Sequence, residues 1–85
     1  MEERLVDLPN IGPVLAMQLE QAGVSTPDDL RVVGARQAWL RIRRVDASAC
    51  INRLYALEGA IRGIRWSSLP AGCKAELKEF FDQHR

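Results

Sequence analysis

Seven arginines, Arg36, Arg41, Arg43, Arg44, Arg53, Arg62 and Arg65, fall between positions 36 and 65. A guanidinium engages phosphate oxygens through two parallel hydrogen bonds, so the chemistry this stretch offers is anion binding, above all of phosphate. Residues 31–65 hold eight arginines against Asp46 and Glu58, a balance of +6, whereas residues 1–30 hold six acids against Arg4, a balance of −5. The formal net charge of +1 conceals this segregation, which places any anion-binding surface in the middle third. The same arginines could instead solvate helix faces and pair with the acidic third, within the molecule or across a dimer. Glu58 and Arg62, four residues apart in the favourable order, are expected as a structural ion pair, not a general base with its helper. Trp39, Tyr55 and Trp66 could stack on bases or anchor a protein partner, core packing being the simpler role for Trp39 and Trp66.

Catalytic chemistry is not expected. His84 sits near the C-terminus with no serine, cysteine or carboxylate arrangement beside it, and the chain has no glycine-rich loop of nucleotide-binding spacing. Cys50 and Cys73, with one histidine in all and no CxxC or HxxxH spacing, point away from zinc. Both read as buried thiols, Cys50 on an apolar stripe. No metal, cofactor or small-molecule substrate is expected. No apolar run reaches the ~20 residues of a membrane-spanning helix. The acidic opening MEER lacks the features of a signal peptide, so a cytoplasmic location is expected.

The elements that must position these groups are helical. In residues 46–66 (DASACINRLYALEGAIRGIRW), Asp46 can cap a helix start, and Ala47, Cys50, Ile51, Leu54, Leu57 and Ile61 form one apolar stripe. The other side carries Ala49, Asn52, Ala56, Gly59, Ala60 and Gly63, small enough for a neighbouring helix or a second subunit to approach the backbone. This segment is predicted to be the central helix. Asn52, Ala56, Gly59, Ala60 and Gly63 are the candidate partner or homodimer face.

Around it, a short segment at Glu2 to Asp7 precedes Leu8-Pro9-Asn10-Ile11-Gly12-Pro13, where Asn10 and Gly12 tolerate a positive φ and Pro13 opens a helix that Gly23 stops. Thr26 and Pro27 start a second helix that ends near Gly34. Ala38, Trp39, Ile42 and Val45 form the apolar side of a helix over 35–45, and Cys73, Leu77, Phe80 and Phe81 that of a last helix near 71–83. No β alternation of useful length occurs. The prediction is a single all-α domain over 1–85, about five short helices packed around the central one.

The run LPNIGPVLAMQLEQAGVSTPDDL resembles a helix-hairpin-helix element, whose usual turn is Leu-Pro-Gly-Ile-Gly. The resemblance implies a helix-hairpin-helix or SAM-domain-like bundle. Outward backbone N–H groups at the turn would hold a nucleic-acid phosphate there, and by position the candidates are Asn10, Ile11, Gly12 and Val14. Asn10 stands where the first glycine is usual, and Val14 where DNA-binding versions carry lysine or arginine. The alternative is that the hairpin only orients two helices.

The hairpin, then TPDDL, Gly34-Ala35 ahead of a Trp-Leu-Arg-Ile-Arg helix, RLYALEGAIRGIRW and SLP together resemble the C-terminal domain of the TfoX/Sxy family, from about Arg4 to Phe81. That resemblance implies a bacterial, non-catalytic binding or regulatory module. In the family this domain often follows an N-terminal one, and full-length members are associated with regulating natural competence. With its own opening methionine, the chain is expected to be a free-standing C-terminal domain. A protein partner or homodimer is the leading expectation. The alternative is a nucleic-acid accessory module that binds phosphates through the hairpin and Arg36, Arg41, Arg43 and Arg44.

Overall fold

The apolar periodicities become five α helices: α1 (Pro13–Gln21), α2 (Pro27–Val33), α3 (Ala35–Val45), α4 (Ile51–Arg62) and α5 (Ala71–His84), with 3-10 turns at Leu5–Asp7 and Trp66–Ser68. The computed structural model describes residues 3–84, and among them there is no strand. The all-helical class is as expected. The N-terminal segment expected from Glu2 is a single 3-10 turn, Glu2 itself lying outside the described residues.

Local chemistry sets the helix ends. Pro13 and Pro27 occupy first turns, where a missing N–H leaves nothing unsatisfied. Thr26 Oγ1 accepts from Asp29 N at 3.1 Å, while Asp29 Oδ2 accepts from Ser25 N at 3.2 Å, so side chain and backbone satisfy each other across the start of α2. Helix α4 stops at Gly63, whose φ of 74° closes the last turn in the left-handed region.

Helix α4 is the centre of the bundle, packed against α2, α3, α5 and the second 3-10 turn. Leu54 and Leu57 are fully buried with Leu19, Leu30, Trp39, Ile42 and Leu77, each contributing roughly 1.5–3 kcal/mol. Trp39 Nε1 donates to Cys50 O at 3.2 Å, which settles the one polar group of the largest core side chain. Its ring meets Phe80 edge-on at 6.2 Å and Phe81 at 5.5 Å, fixing α5 against α3.

The central helix begins later than the sequence suggests. Asp46 does not cap it: it is the extended residue that ends α3, and α4 starts at Ile51. The carboxylate is committed elsewhere. Its Oδ1 accepts from the backbone and hydroxyl of Ser48, closing a turn, and its Oδ2 accepts from Gln18 Nε2 at 2.9 Å and Arg53 Nη1 at 2.7 Å. Residues 47–50 therefore leave the helical wheel. Ala47 and Cys50 are exposed instead of lying on the stripe, and Cys73 is half-buried, so neither thiol is the buried one expected. Val45, the last residue of α3, is exposed as well, so it is not part of the apolar side expected of that helix.

Asp46 thus ties α1, the end of α3 and the start of α4 together, and its donors hold its pKa well below the ordinary carboxylate value of 3.8, the Ser48 hydroxyl first and Arg53 next. A folded-state pKa below the unfolded one gives stability that is fully present above the unfolded value and is lost as pH falls through the folded one. Asp46→Asn is therefore expected to be less stable than wild type at pH 7. The difference should shrink as pH is lowered below about 4, where the unfolded wild-type carboxyl takes up its proton. Thermal melts of both proteins between pH 7 and pH 2 check this; a difference independent of pH contradicts it.

Candidate functional site

At the hairpin, the left-handed residue is Asn10, with φ 70°, while Gly12 is extended at φ −91°. The positive φ expected of both is needed only once, because a single left-handed residue already reverses the chain into α1. The Asn10 side chain reaches across the bundle to the end of α4. Its Nδ2 donates to Ile64 O at 2.9 Å and Ala56 O at 3.3 Å, and its Oδ1 accepts from Trp66 N at 3.1 Å. Beneath it lies Gly59. A Cβ on Gly59 would stand 2.6 Å from Asn10 Nδ2, 2.8 Å from Ile64 O and 3.1 Å from Trp66 N. The close approach expected of the small-residue face is therefore real, but the chain's own hairpin makes it.

This corrects the proposed partner face. Ala56, Gly59 and Ala60 are buried within the molecule, and only Asn52 and Gly63 of that set are exposed. The phosphate candidates at the hairpin also divide. Ile11 is buried and its N–H donates to Leu8 O at 3.4 Å, so it points inward. Gly12, Pro13 and Val14 face solvent. Val14 is 63% exposed and Met17, one turn on, 51%, which makes the outward side of α1 apolar.

The arginines sort into two groups. Arg31 pairs with Asp28 at 2.9 Å and Glu3 at 3.4 Å, Arg53 with Asp46, and Arg62 Nε donates to Glu58 Oε2 at 2.9 Å. The Glu58 hydrogen bond holds the Arg62 pKa above its ordinary value. Among the described residues, Arg36, Arg41, Arg43, Arg44 and Arg65 form no ion pair. Pairing of the middle arginines with the acidic third is thus confined to Arg31. Arg36 instead lies over the Phe80 ring at 5.8 Å and Arg43 over Trp39 at 5.4 Å. Arg41 Nη1 donates to Ala22 O at 3.4 Å, at the end of α1. Arg44 is exposed.

Tyr55 and Trp66 stack at 6.1 Å with Lys74 Nζ 5.6 Å above Trp66, so these rings hold the second 3-10 turn onto α4. Trp66 remains 39% exposed, less buried than core packing implies. One cleft, about 360 Å³, opens between Arg31, Gly34, Arg36, Glu58 and Ile61. Another of about 290 Å³ lies between Val6, Ala16, Glu20 and Thr26. Among the described residues, no three His, Cys, Asp or Glu side chains come together as metal ligands.

The same fold occurs in known proteins. The sequence model of the TfoX C-terminal domain matches residues 1–81. The chain belongs to that family. Protein Sxy of Escherichia coli (strain K12) is 40% identical over 80 residues, which cover 94% of this chain and 38% of Sxy. This TfoX C-terminal domain therefore spans well under half of that relative's length. Two crystal structures from Listeria monocytogenes share the fold at 49% identity. An uncharacterised protein in a triclinic form gives a TM-score of 0.94 over 95% of this chain and 92% of its own, and a protein of unknown function in a tetragonal form gives 0.93 over 95% and 99%. No helix among the described residues is long and apolar enough to cross a membrane.

The Asn10 clamp and the Asp46 junction are not legible in the sequence, and for the α3 arginines it leaves both ion pairing and anion binding open. The signal for Asn10 was a residue with both donor and acceptor where the hairpin usually has glycine. Nothing local marked its partners, 46 to 56 positions away.

Proposed function

We propose that this TfoX C-terminal domain is a non-enzymatic regulatory module that works in the cytoplasm by binding another protein, in the control of DNA uptake. Family membership and the similarity to Sxy support a regulatory role. Protein contact rests on the outward face of α1, where Pro13, Val14 and Met17 expose apolar surface beside the hairpin that the half-buried Asn10 anchors. Exposed large apolar side chains on neighbouring turns of one helix form a patch that another surface can desolvate, and such patches mark interaction sites more often than isolated ones.

The test is the double variant Val14→Asp/Met17→Asp. Both positions lie outside the core, so its unfolding free energy is expected to stay within about 0.5 kcal/mol of wild type. Introduced into a strain lacking the chromosomal gene, it is expected to leave DNA uptake at the level of the deletion and to lose the cross-links that the wild-type chain makes. Full restoration of uptake by the variant overturns the assigned face. An unchanged uptake frequency in the deletion strain itself overturns the link to competence.

A further inference from the structure

The α1 face leaves the arginines of α3 unexplained. From Ala35 to Val45 the helix carries Arg36, Arg41, Arg43 and Arg44 and no acid. Ala35, Ala38, Trp39 and Ile42 are its buried side. At 100° per residue the four arginines spread over about 160° of the opposite side, Arg36 and Arg43 on one flank, Arg41 on the other and Arg44 at the crest. They extend over roughly 12 Å of helix, eight residues at 1.5 Å each.

Such a concentration of like charge is costly unless it meets an anion, and no carboxylate of the described chain pairs with any of the four. Two of the guanidiniums are already held in place. Arg36 lies on Phe80 and Arg43 on Trp39, and these rings touch each other edge to face. A guanidinium held over a ring keeps N–H groups for a second partner. Ordering the side chain on binding therefore costs less than for a free arginine. The acids that flank α3 in sequence do not oppose an approaching anion at full strength, since Asp46 is paired with Arg53 and Asp28 with Arg31.

We infer that the outer face of α3 is a sequence-independent binding surface for the phosphate backbone of duplex nucleic acid. A helix with its side chains is about 10–12 Å across, close to the roughly 12 Å width of the major groove. Arginines on the two flanks then meet the two phosphate rows that border the groove, and Arg44, exposed between them on a long flexible side chain, bends aside to reach one of the rows. A single acidic side chain or a short acidic peptide cannot face four guanidiniums spread over such an arc, whereas a regular polyanion can. This surface is separate from the apolar face of α1, and the two are tested by different variants.

The experiment is fluorescence anisotropy of a labelled random-sequence DNA duplex titrated with the protein over a range of salt. Four neutralised phosphates predict that log affinity falls against log salt with a slope of about −3.6. Arg44→Glu, at a position with no side-chain contact to lose, is expected to weaken binding at least about fivefold and to flatten that slope by about one unit. Arg43→Glu/Arg44→Glu is expected to weaken it further. Arg65→Glu, off α3, and Val14→Asp/Met17→Asp are expected to bind as wild type. Absence of saturable binding at low salt overturns the inference. So does competition by polyglutamate as effective as that by unlabelled duplex, which would assign the face to an acidic protein.

Discussion

Asn10→Ala is expected to lower the unfolding free energy by about 4 kcal/mol. Three hydrogen bonds disappear, each worth about 1 kcal/mol net; two hold the Ile64–Trp66 segment to the hairpin and the third ties the hairpin to Ala56 O in α4. Alanine must also adopt the left-handed backbone at φ 70°, which costs a further 1–2 kcal/mol or so. A domain of this size has a total stability of about 4–13 kcal/mol, so the variant should sit at or near the edge of folding. Asn10→Gly separates the two contributions: it accepts the backbone conformation and loses only the bonds, about 3 kcal/mol. Asn10→Asp still accepts from Trp66 N but turns an oxygen toward the carbonyls of Ile64 and Ala56, so at pH 7 it should be no more stable than the alanine variant. Urea unfolding of the three proteins gives the order glycine, then alanine and aspartate. A stability for Asn10→Ala within about 1 kcal/mol of wild type would remove the clamp from the account.

Gly59→Ala is expected to cost about 3 kcal/mol even though alanine is the better helix former by roughly 1 kcal/mol. The added methyl would lie 2.8 Å from Ile64 O and 2.6 Å from Asn10 Nδ2. The amide end of asparagine can swing away, but the Ile64 carbonyl belongs to the turn that closes α4, so the backbone has to move. Moving it breaks the same clamp from the other side. The two sites must therefore couple. In a double-mutant cycle with Asn10→Gly, the second substitution should cost about 1–2 kcal/mol less than the first alone, because the bonds that the added methyl disrupts are already absent. Additive costs would mean that Gly59 and Asn10 act independently. A Gly59→Ala protein as stable as wild type would show that the close approach is not required.

This coupling bears on the proposed function. The outward apolar face of α1 starts a few residues after the turn that Asn10 anchors, so the clamp fixes the angle at which Pro13, Val14 and Met17 leave the bundle. Asn10 supplies the left-handed backbone of the turn and adds a tie to the end of α4. Variants at Asn10 are consequently expected to lose partner binding together with stability, whereas Val14→Asp/Met17→Asp should lose binding alone.

How far the sequence could be read depended on the range of the forces involved. Helices α1, α2 and α3 and the caps at Pro13, Thr26 and Pro27 follow from propensity and periodicity, which act over a few residues, and they appear where expected. The central helix starts later than its wheel implies because Asp46 has a better use for its carboxylate than capping, which takes residues 47–50 out of the helix. Its competing donors, Gln18 and Arg53, come from α1 and from within α4. The Glu58–Arg62 pair is visible in a spacing of four. The Arg53–Asp46 pair crosses a turn and is not visible until the turn is known.

Taken alone, the amino-acid order determined the helical class, the family resemblance, the separation of charge and the identity of α4 as the rod about which the others pack, because each is written in local spacing or composition. Tertiary structure decided which surfaces remain open. It turned the small-residue face of α4 inward beneath Asn10, left the α3 arginines without ion pairs among the described residues, and set Val14 and Met17 in solvent. Periodicity tells which side of a helix is apolar or small, but what covers that side is chosen by residues tens of positions away, and only the folded chain brings them within contact distance.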